Sequence, residues 1–147
     1  MHILKNRILT IKSIFIILVV LTALVVFLMF FDQSQISGSI NPFVLWAMLT
    51  LAGVGLVVMV TQAKLSGKVR TYLLIAGYAA AGFLVGIVLH NLFYALTPSV
   101  VGSALLTGVL GFLEGTFFVL SVIVCPLALL VGMLGTVVLW RQIPAAK

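Results

Sequence analysis

The chain has 147 residues, of which 64% are apolar and only 7% are charged, and its mean hydropathy is +1.41. A soluble domain of this length has too little polar surface to cover so large an apolar fraction, so the composition excludes a soluble globular protein and indicates an integral membrane protein. The net charge of +6 is accounted for by membrane topology and anionic lipid, and we expect no nucleic-acid partner. The single cysteine, Cys125, lies in an apolar run and cannot form an intramolecular disulfide.

Four segments have the roughly 20 apolar residues that a helix needs to cross a hydrocarbon core of about 30 Å. We predict one four-helix transmembrane domain over 1–147, with spans at about 11–31, 43–61, 71–96 and 114–140. The first span follows a basic stretch, and its length of about 21 residues exceeds the apolar region of a usual signal peptide, so we expect it to be a retained signal anchor. It contains no glycine, and we expect it at the periphery of the bundle.

Local signals mark several span ends. Asn41 and Pro42 precede the second span, where Asn suits the cap of a helix and Pro suits its first turn. The third span is expected to stop before Pro98, because the residue that precedes a proline is biased away from helix. Trp140 followed by Arg141 is typical of a membrane boundary and predicts the inner end of the fourth span.

The link between the third and fourth spans, at about 99–112, is too apolar for a solvated loop and too short for two crossings. We therefore predict an interfacial or re-entrant segment there. A fourth helix extended back to Val100 would be about 61 Å long, roughly twice the hydrocarbon thickness. This excess length predicts a break near Gly111 or Gly115, and Pro126 is expected to bend the helix further along.

The positive charges are confined to three groups that alternate with the spans. They are Lys5, Arg7 and Lys12, then Lys64, Lys68 and Arg70, then Arg141 and Lys147. Because positive residues beside spans stay on the cytoplasmic side, this pattern predicts an antiparallel bundle in the plasma (cell inner) membrane with both termini cytoplasmic. The two acidic residues, Asp32 and Glu114, then fall on the outer side.

Small residues at helical spacing predict which helix faces touch, since helices in lipid associate through close packing. The stripe of the third span consists of Gly82, Gly86, His90 and Tyr94. The seam of the fourth span consists of Glu114, Phe118, Ser121, Cys125, Ala128, Gly132 and Gly135. Its mean period of about 3.5 residues suits left-handed packing. Such seams indicate either the core of the bundle or an interface between subunits.

His90 and Glu114 are the main candidate functional residues, because ionisable side chains within spans are costly and often functional. Counting from the inner boundary places both at a similar level near the outer edge of the membrane. The candidate outer polar site therefore comprises His90, Glu114, Asn91, Tyr94 and Asp32. It could bind a cation, relay a proton or hold a lipid or quinone head group. The alternative, which we favour, is that His90 and Glu114 pin the third helix to the fourth.

Other chemistry is sparse in the sequence. We predict no catalytic residue and no metal site, since one His and one or two carboxylates fall short of a zinc ligand set, and no motif indicates a cofactor. The four-span layout is similar to that of the small multidrug transporters and of the membrane-associated eicosanoid and glutathione enzymes. However, the embedded first-span glutamate of the former and the intramembrane arginines of the latter have no counterpart here.

Three functional hypotheses follow. The leading one is a non-enzymatic assembly or accessory subunit, in contact with the lipid bilayer, whose glycine-rich helix faces bind further copies or a larger membrane complex. The first alternative is an oligomeric transporter or channel component with an outward-facing site at His90 and Glu114. The second is a lipid- or quinone-linked membrane enzyme in which His90 acts as acid or base.

Overall fold

The computed structural model describes residues 2–30, 41–100 and 102–142 of the chain. Over these ranges the chain is helical and contains no strand. The helices are α1 (His2–Phe30), α2 (Pro42–Gln62), α3 (Gly67–Leu96), α4 (Ala104–Val119) and α5 (Cys125–Val138), with 3-10 turns at Thr97–Val100 and Trp140–Gln142. A π-helical turn, Leu120–Val124, joins α4 to α5. The predicted all-helical architecture is confirmed.

Among the described residues, four helical stretches are long and apolar enough to cross a membrane, namely Asn6–Leu28, Phe43–Gln62, Gly67–Val100 and Ala104–Val138. The last comprises α4, the π turn and α5, and is called the fourth span below. It is 35 residues long, or about 52 Å at the rise of an α-helix, so it exceeds the thickness of a hydrocarbon core. The described residues therefore contain four candidate spans, as the composition predicts, with different boundaries.

The predicted break near Gly111 or Gly115 is wrong. Both residues lie inside α4, which is α-helical without interruption from Ala104 to Val119. A glycine does not by itself end a helix in an apolar setting, because no water competes for the backbone hydrogen bonds. Most of the segment predicted at 99–112 thus belongs to the fourth span; its depth relative to the membrane stays a prediction.

The irregularity of the fourth span lies instead next to Pro126. The backbone N–H of Cys125 bonds to the carbonyl of Leu120, five residues earlier, which defines the π turn. Proline has no N–H, and its ring crowds the carbonyl of the residue four positions before it. A wider turn just before Pro126 accommodates this crowding.

Caps agree with the sequence signals at two other helix ends. The Asn41 side chain accepts a 2.9 Å hydrogen bond from the backbone N–H of Phe43, and Pro42 occupies the first turn of α2. The α-helical part of the third span ends at Leu96, before Pro98 as predicted, but the helical stretch runs on through Pro98 to Val100 as a 3-10 turn. At the other end of α2, Arg7 of α1 donates a 2.8 Å hydrogen bond from Nη1 to the carbonyl of Gln62. A cation at a helix C-terminus also interacts favourably with the helix dipole.

α3 is the central helix of the bundle. It packs against α2 and against the fourth span, whereas α1 packs mainly against α2. The approach of α2 to α3 is very close, since a Cβ added to Gly53 would lie 2.7 Å from the carbonyl oxygen of Gly77. The apolar core of the bundle lies where side chains of α1, α2, α3 and α5 meet. It includes the fully buried Ile11, Leu18, Leu56 and Leu73.

Candidate functional site

His90 lies on the face of α3 that packs against the fourth span. Its Nδ1 is 3.2 Å from the main-chain carbonyl oxygen of Glu114. Because a carbonyl oxygen only accepts, Nδ1 carries the hydrogen in this bond, and Nε2 of the neutral ring is then an acceptor. The imidazole also packs against the ring of Phe118, with the ring centres 5.3 Å apart. His90 therefore ties α3 to α4 through one hydrogen bond and one ring contact.

Glu114 meets His90 through its backbone and not through its carboxylate. The side chain is half-buried, and within 2–30, 41–100 and 102–142 no hydrogen bond or ion pair involves its carboxylate. The sequence predicts that these two residues pin the third helix to the fourth. The structure brings the two residues together, but it leaves the carboxylate available for water, an ion or a head group.

Two other members of the predicted site face elsewhere. Asn91 is exposed, and its Nδ2 donates a 2.8 Å hydrogen bond to the carbonyl of Ile87 in its own helix. Tyr94 is 64% exposed. Four residues turn an α-helix by about 400°, so a stripe at spacing four drifts by about 40° at each step and leaves the interface. Asp32, the fifth member, lies outside the described residues.

Phe93 occupies the interface position that Tyr94 was expected to fill. Its ring stacks on Phe117 with the centres 5.6 Å apart and the planes 18° apart. Sequence reasoning missed both residues, although Phe93 is three positions after His90 and therefore close to the same face. The surroundings of His90 are consequently aromatic, and offset ring pairs of this kind contribute about 0.5–1.5 kcal/mol each.

The predicted small-residue seams lie between α3 and the fourth span. A Cβ added to Gly86 would lie 2.8 Å from the Cβ of Ser121, one added to Gly82 would lie 3.3 Å from Sγ of Cys125, and one added to Gly132 would lie 2.5 Å from the backbone nitrogen of Ala76. Further contacts of this interface involve Gly135 against the ring of Tyr72, and Ala128, which packs on the core. These faces are thus filled within one chain.

Buried hydroxyl groups on the seam bond to their own helix. Ser121 is 1% exposed and donates a 2.7 Å hydrogen bond to the carbonyl of Phe117. Thr136 is fully buried and donates to Gly132 at 2.8 Å. Among the residues that the structure describes, no group of three or more His, Cys, Asp or Glu side chains could hold a metal ion. The geometry of the seam suits packing.

The outward side of α4 carries three glycines that no described residue covers. A Cβ added to Gly108, Gly111 or Gly115 would have no neighbour within 4 Å. A shallow groove of about 500 Å³ runs along Gly111, Gly115 and Val119 beside Phe112, which is 72% exposed. We call Gly108, Gly111 and Gly115 the α4 glycine face. Sequence reasoning read two of these residues as a helix break and missed their spacing of four, which is the signal of a packing face.

Over the described residues, these features define a class of protein: an all-helical protein with four helices that can span a membrane by length and composition. Comparisons with protein-family models, with curated proteins and with solved structures gave no match.

Proposed function

We propose that this protein is a non-enzymatic assembly or accessory subunit of a membrane, and that it associates with a second copy of itself through the α4 glycine face. The observation that carries the proposal is the open space in front of Gly108, Gly111 and Gly115. In lipid, helices gain little from hiding apolar area, so association depends on how closely two backbones can approach. Glycines in open space supply that close approach.

The distribution of the other glycines supports the choice of this face. Gly53, Gly82, Gly86 and Gly132 face neighbouring helices of the same chain and cannot also receive a partner without unpacking the bundle. α4 has no buried residue along its whole length. The α4 glycine face is therefore a packing surface that the described residues leave unused, and a larger membrane complex is the alternative occupant.

The proposal includes a topology, namely an antiparallel bundle in the plasma membrane with both termini in the cytoplasm. Charge supports the orientation, since the positive groups alternate with the spans. Contacts support the antiparallel arrangement. As residue numbers increase along α3, the residue numbers of their partners on the fourth span decrease: Tyr72 meets Gly135, Gly86 meets Ser121 and His90 meets Glu114.

The test is the molar mass of the protein in mild detergent, together with subunit counting by photobleaching in liposomes. The wild type should exceed the 15.7 kDa of one chain, and the double variant Gly111→Leu/Gly115→Leu should run as a monomer of unchanged helical content. The matched control is Ala23→Leu/Ala95→Leu, which enlarges two exposed small residues on α1 and α3 and should keep the wild-type mass. A monomeric wild type, or a glycine variant that stays associated, would contradict the proposal.

One observation favours a second function, a transporter or channel component with its outer site at His90 and Glu114. The half-buried Glu114 carboxylate has no partner among the described residues, and such a group is available to a cation or a proton. A lipid- or quinone-linked enzyme would use the same two residues. Both alternatives require the carboxylate itself, whereas the assembly function requires only the backbone of Glu114.

A further inference from the structure

An apolar cleft lies between α1 and α5, at the end of the bundle where the basic residues are found. It has a volume of about 530 Å³ and is lined by Ile16 and Val20 of α1, by Val137 and Val138 of α5, and by Trp140 and Arg141 of the 3-10 turn that follows. The four aliphatic side chains are between 54% and 79% exposed. The size is in the range of pockets that hold small ligands.

The cleft exists because α1 packs mainly against α2 and leaves its other side apart from α5. α1 contacts the turn after α5 at Trp140, whose ring centre lies 5.6 Å from that of Phe15. The cleft lies beside this contact, between α1 and α5. In a membrane such a space is filled by lipid, and its shape and charge decide which lipid resides there longest.

Two cations lie at the end of the cleft that Trp140 and Arg141 form, which we call its mouth. Nζ of Lys12 lies 5.5 Å from the centre of the Trp140 ring, and Arg141, the next residue along the chain, lines the cleft and is exposed. The two acidic residues of the sequence are Asp32 and Glu114. Glu114 meets His90 at the opposite end of α3 from Tyr72, which packs near Trp140 on Gly135. The described residues at the mouth of the cleft thus include no carboxylate to neutralise Lys12 and Arg141.

We infer that this cleft binds one anionic phospholipid, with an acyl chain between α1 and α5 and the phosphate against Lys12 and Arg141. Trp140 sits where the chain and the head group of such a lipid join, the level that tryptophan favours in membranes. Basic residues beside an apolar space between helices recognise phosphate head groups, and each contributes on the order of 1 kcal/mol near a charged membrane surface. This site is separate from the α4 glycine face and does not depend on self-association.

The test is lipid binding to the purified full chain, measured by native mass spectrometry with phosphatidylglycerol and phosphatidylcholine of the same acyl chains. One phosphatidylglycerol should bind about tenfold or more tightly than phosphatidylcholine. Lys12→Gln/Arg141→Gln should abolish this preference. The matched control, Lys68→Gln/Arg70→Gln, removes the same charge from exposed positions at the start of α3. This control should retain the preference for phosphatidylglycerol.

A second pair of variants tests the apolar part of the site. Ile16→Trp should fill the cleft and weaken binding of both lipids about tenfold, whereas Ile17→Trp, whose position is 50% exposed and does not line the cleft, should leave binding unchanged. Glycerol phosphate, which lacks acyl chains, should not bind. Equal binding of the two lipids, an equal loss in the Lys68/Arg70 control, or binding of glycerol phosphate as tight as that of the lipid would overturn the inference.

Discussion

His90 bonds to the main-chain carbonyl of Glu114 at 3.2 Å and leaves the carboxylate of the same residue without a partner in the part of the chain that the structure describes. The bond joins α3 to α4 whichever side chain stands at position 114. A mutation at 90 and a mutation at 114 should consequently have different effects, and this difference separates a structural role of the pair from a chemical one.

His90→Phe should lower the free energy of unfolding by about 1 kcal/mol, because it removes the interhelical hydrogen bond but keeps an aromatic ring beside Phe118. Glu114→Gln should change it by less than about 0.5 kcal/mol, because the backbone carbonyl is retained. Reversible unfolding in mixed detergent measures both. If Glu114→Gln were as destabilising as His90→Phe, the carboxylate would have a structural contact. If it left stability intact but abolished ion flux or turnover, the transport or enzyme alternative would replace the assembly function.

Substitution of glycine by alanine should change the free energy of unfolding in opposite directions on the two sides of the fourth span. Gly132→Ala should destabilise the bundle by about 1–3 kcal/mol, because the new Cβ would meet the backbone of Ala76, which cannot move aside. Gly108→Ala should be neutral or stabilising by up to about 1 kcal/mol, since its Cβ would enter open space and alanine favours helix. Thermal unfolding of the purified variants checks the pair. Equal effects at the two positions would mean that the α3 interface is looser than the structure shows.

The protein should be more stable with valine at position 50 than with Thr50. Oγ1 of Thr50 is buried and has no hydrogen-bond partner among the described residues, and an unsatisfied buried hydroxyl costs about 1–3 kcal/mol. Thr50→Val keeps the shape and should stabilise the protein by about 1 kcal/mol. Thr136→Val is the matched control, since that hydroxyl is buried but bonded to Gly132, and it should be neutral or mildly destabilising. Chemical unfolding in detergent distinguishes the two, and a destabilised Thr50→Val would indicate a partner for the hydroxyl.

The proposed topology can be read from single cysteines in a Cys125→Ser background. Ser66, in the turn between α2 and α3, and Gly102, just before α4, are both exposed. In intact cells a membrane-impermeant maleimide should label Gly102→Cys and spare Ser66→Cys, because the positive residues around Ser66 hold that turn in the cytoplasm. The opposite pattern would invert the orientation, and labelling of both positions would contradict the number of crossings between them.

Much of the fold could be predicted because its signals are local. Twenty or so apolar residues in a row require a helix in lipid, whatever their neighbours are. The cap at Asn41 and the end of α3 before Pro98 follow from the chemistry of one or two residues. The break assigned to Gly111 or Gly115 failed, because it was inferred from the thickness of a membrane and not from the helix itself.

The candidate site was predicted less well. The closeness of His90 and Glu114 could be predicted, since both lie on small-residue stripes at a similar level. The sequence did not indicate that the contact uses a backbone atom, or that Phe93 replaces Tyr94 in the interface. Both outcomes depend on the rotation of two helices about their own axes, which is set by the packing of the whole seam.

The sequence by itself determined that the chain is helical, that four of its segments can cross a membrane, and that the small-residue stripes predicted for the third and fourth spans are packing faces. These properties follow from composition and from helical periodicity, so no tertiary contact is needed to derive them. Only the tertiary structure decided which glycine faces are already filled, that Lys12 and Trp140 meet across the bundle, and that a cleft opens between α1 and α5. The physical reason is that helices in lipid are placed by close steric fit between particular side chains, and this fit depends on distances between residues far apart in the sequence.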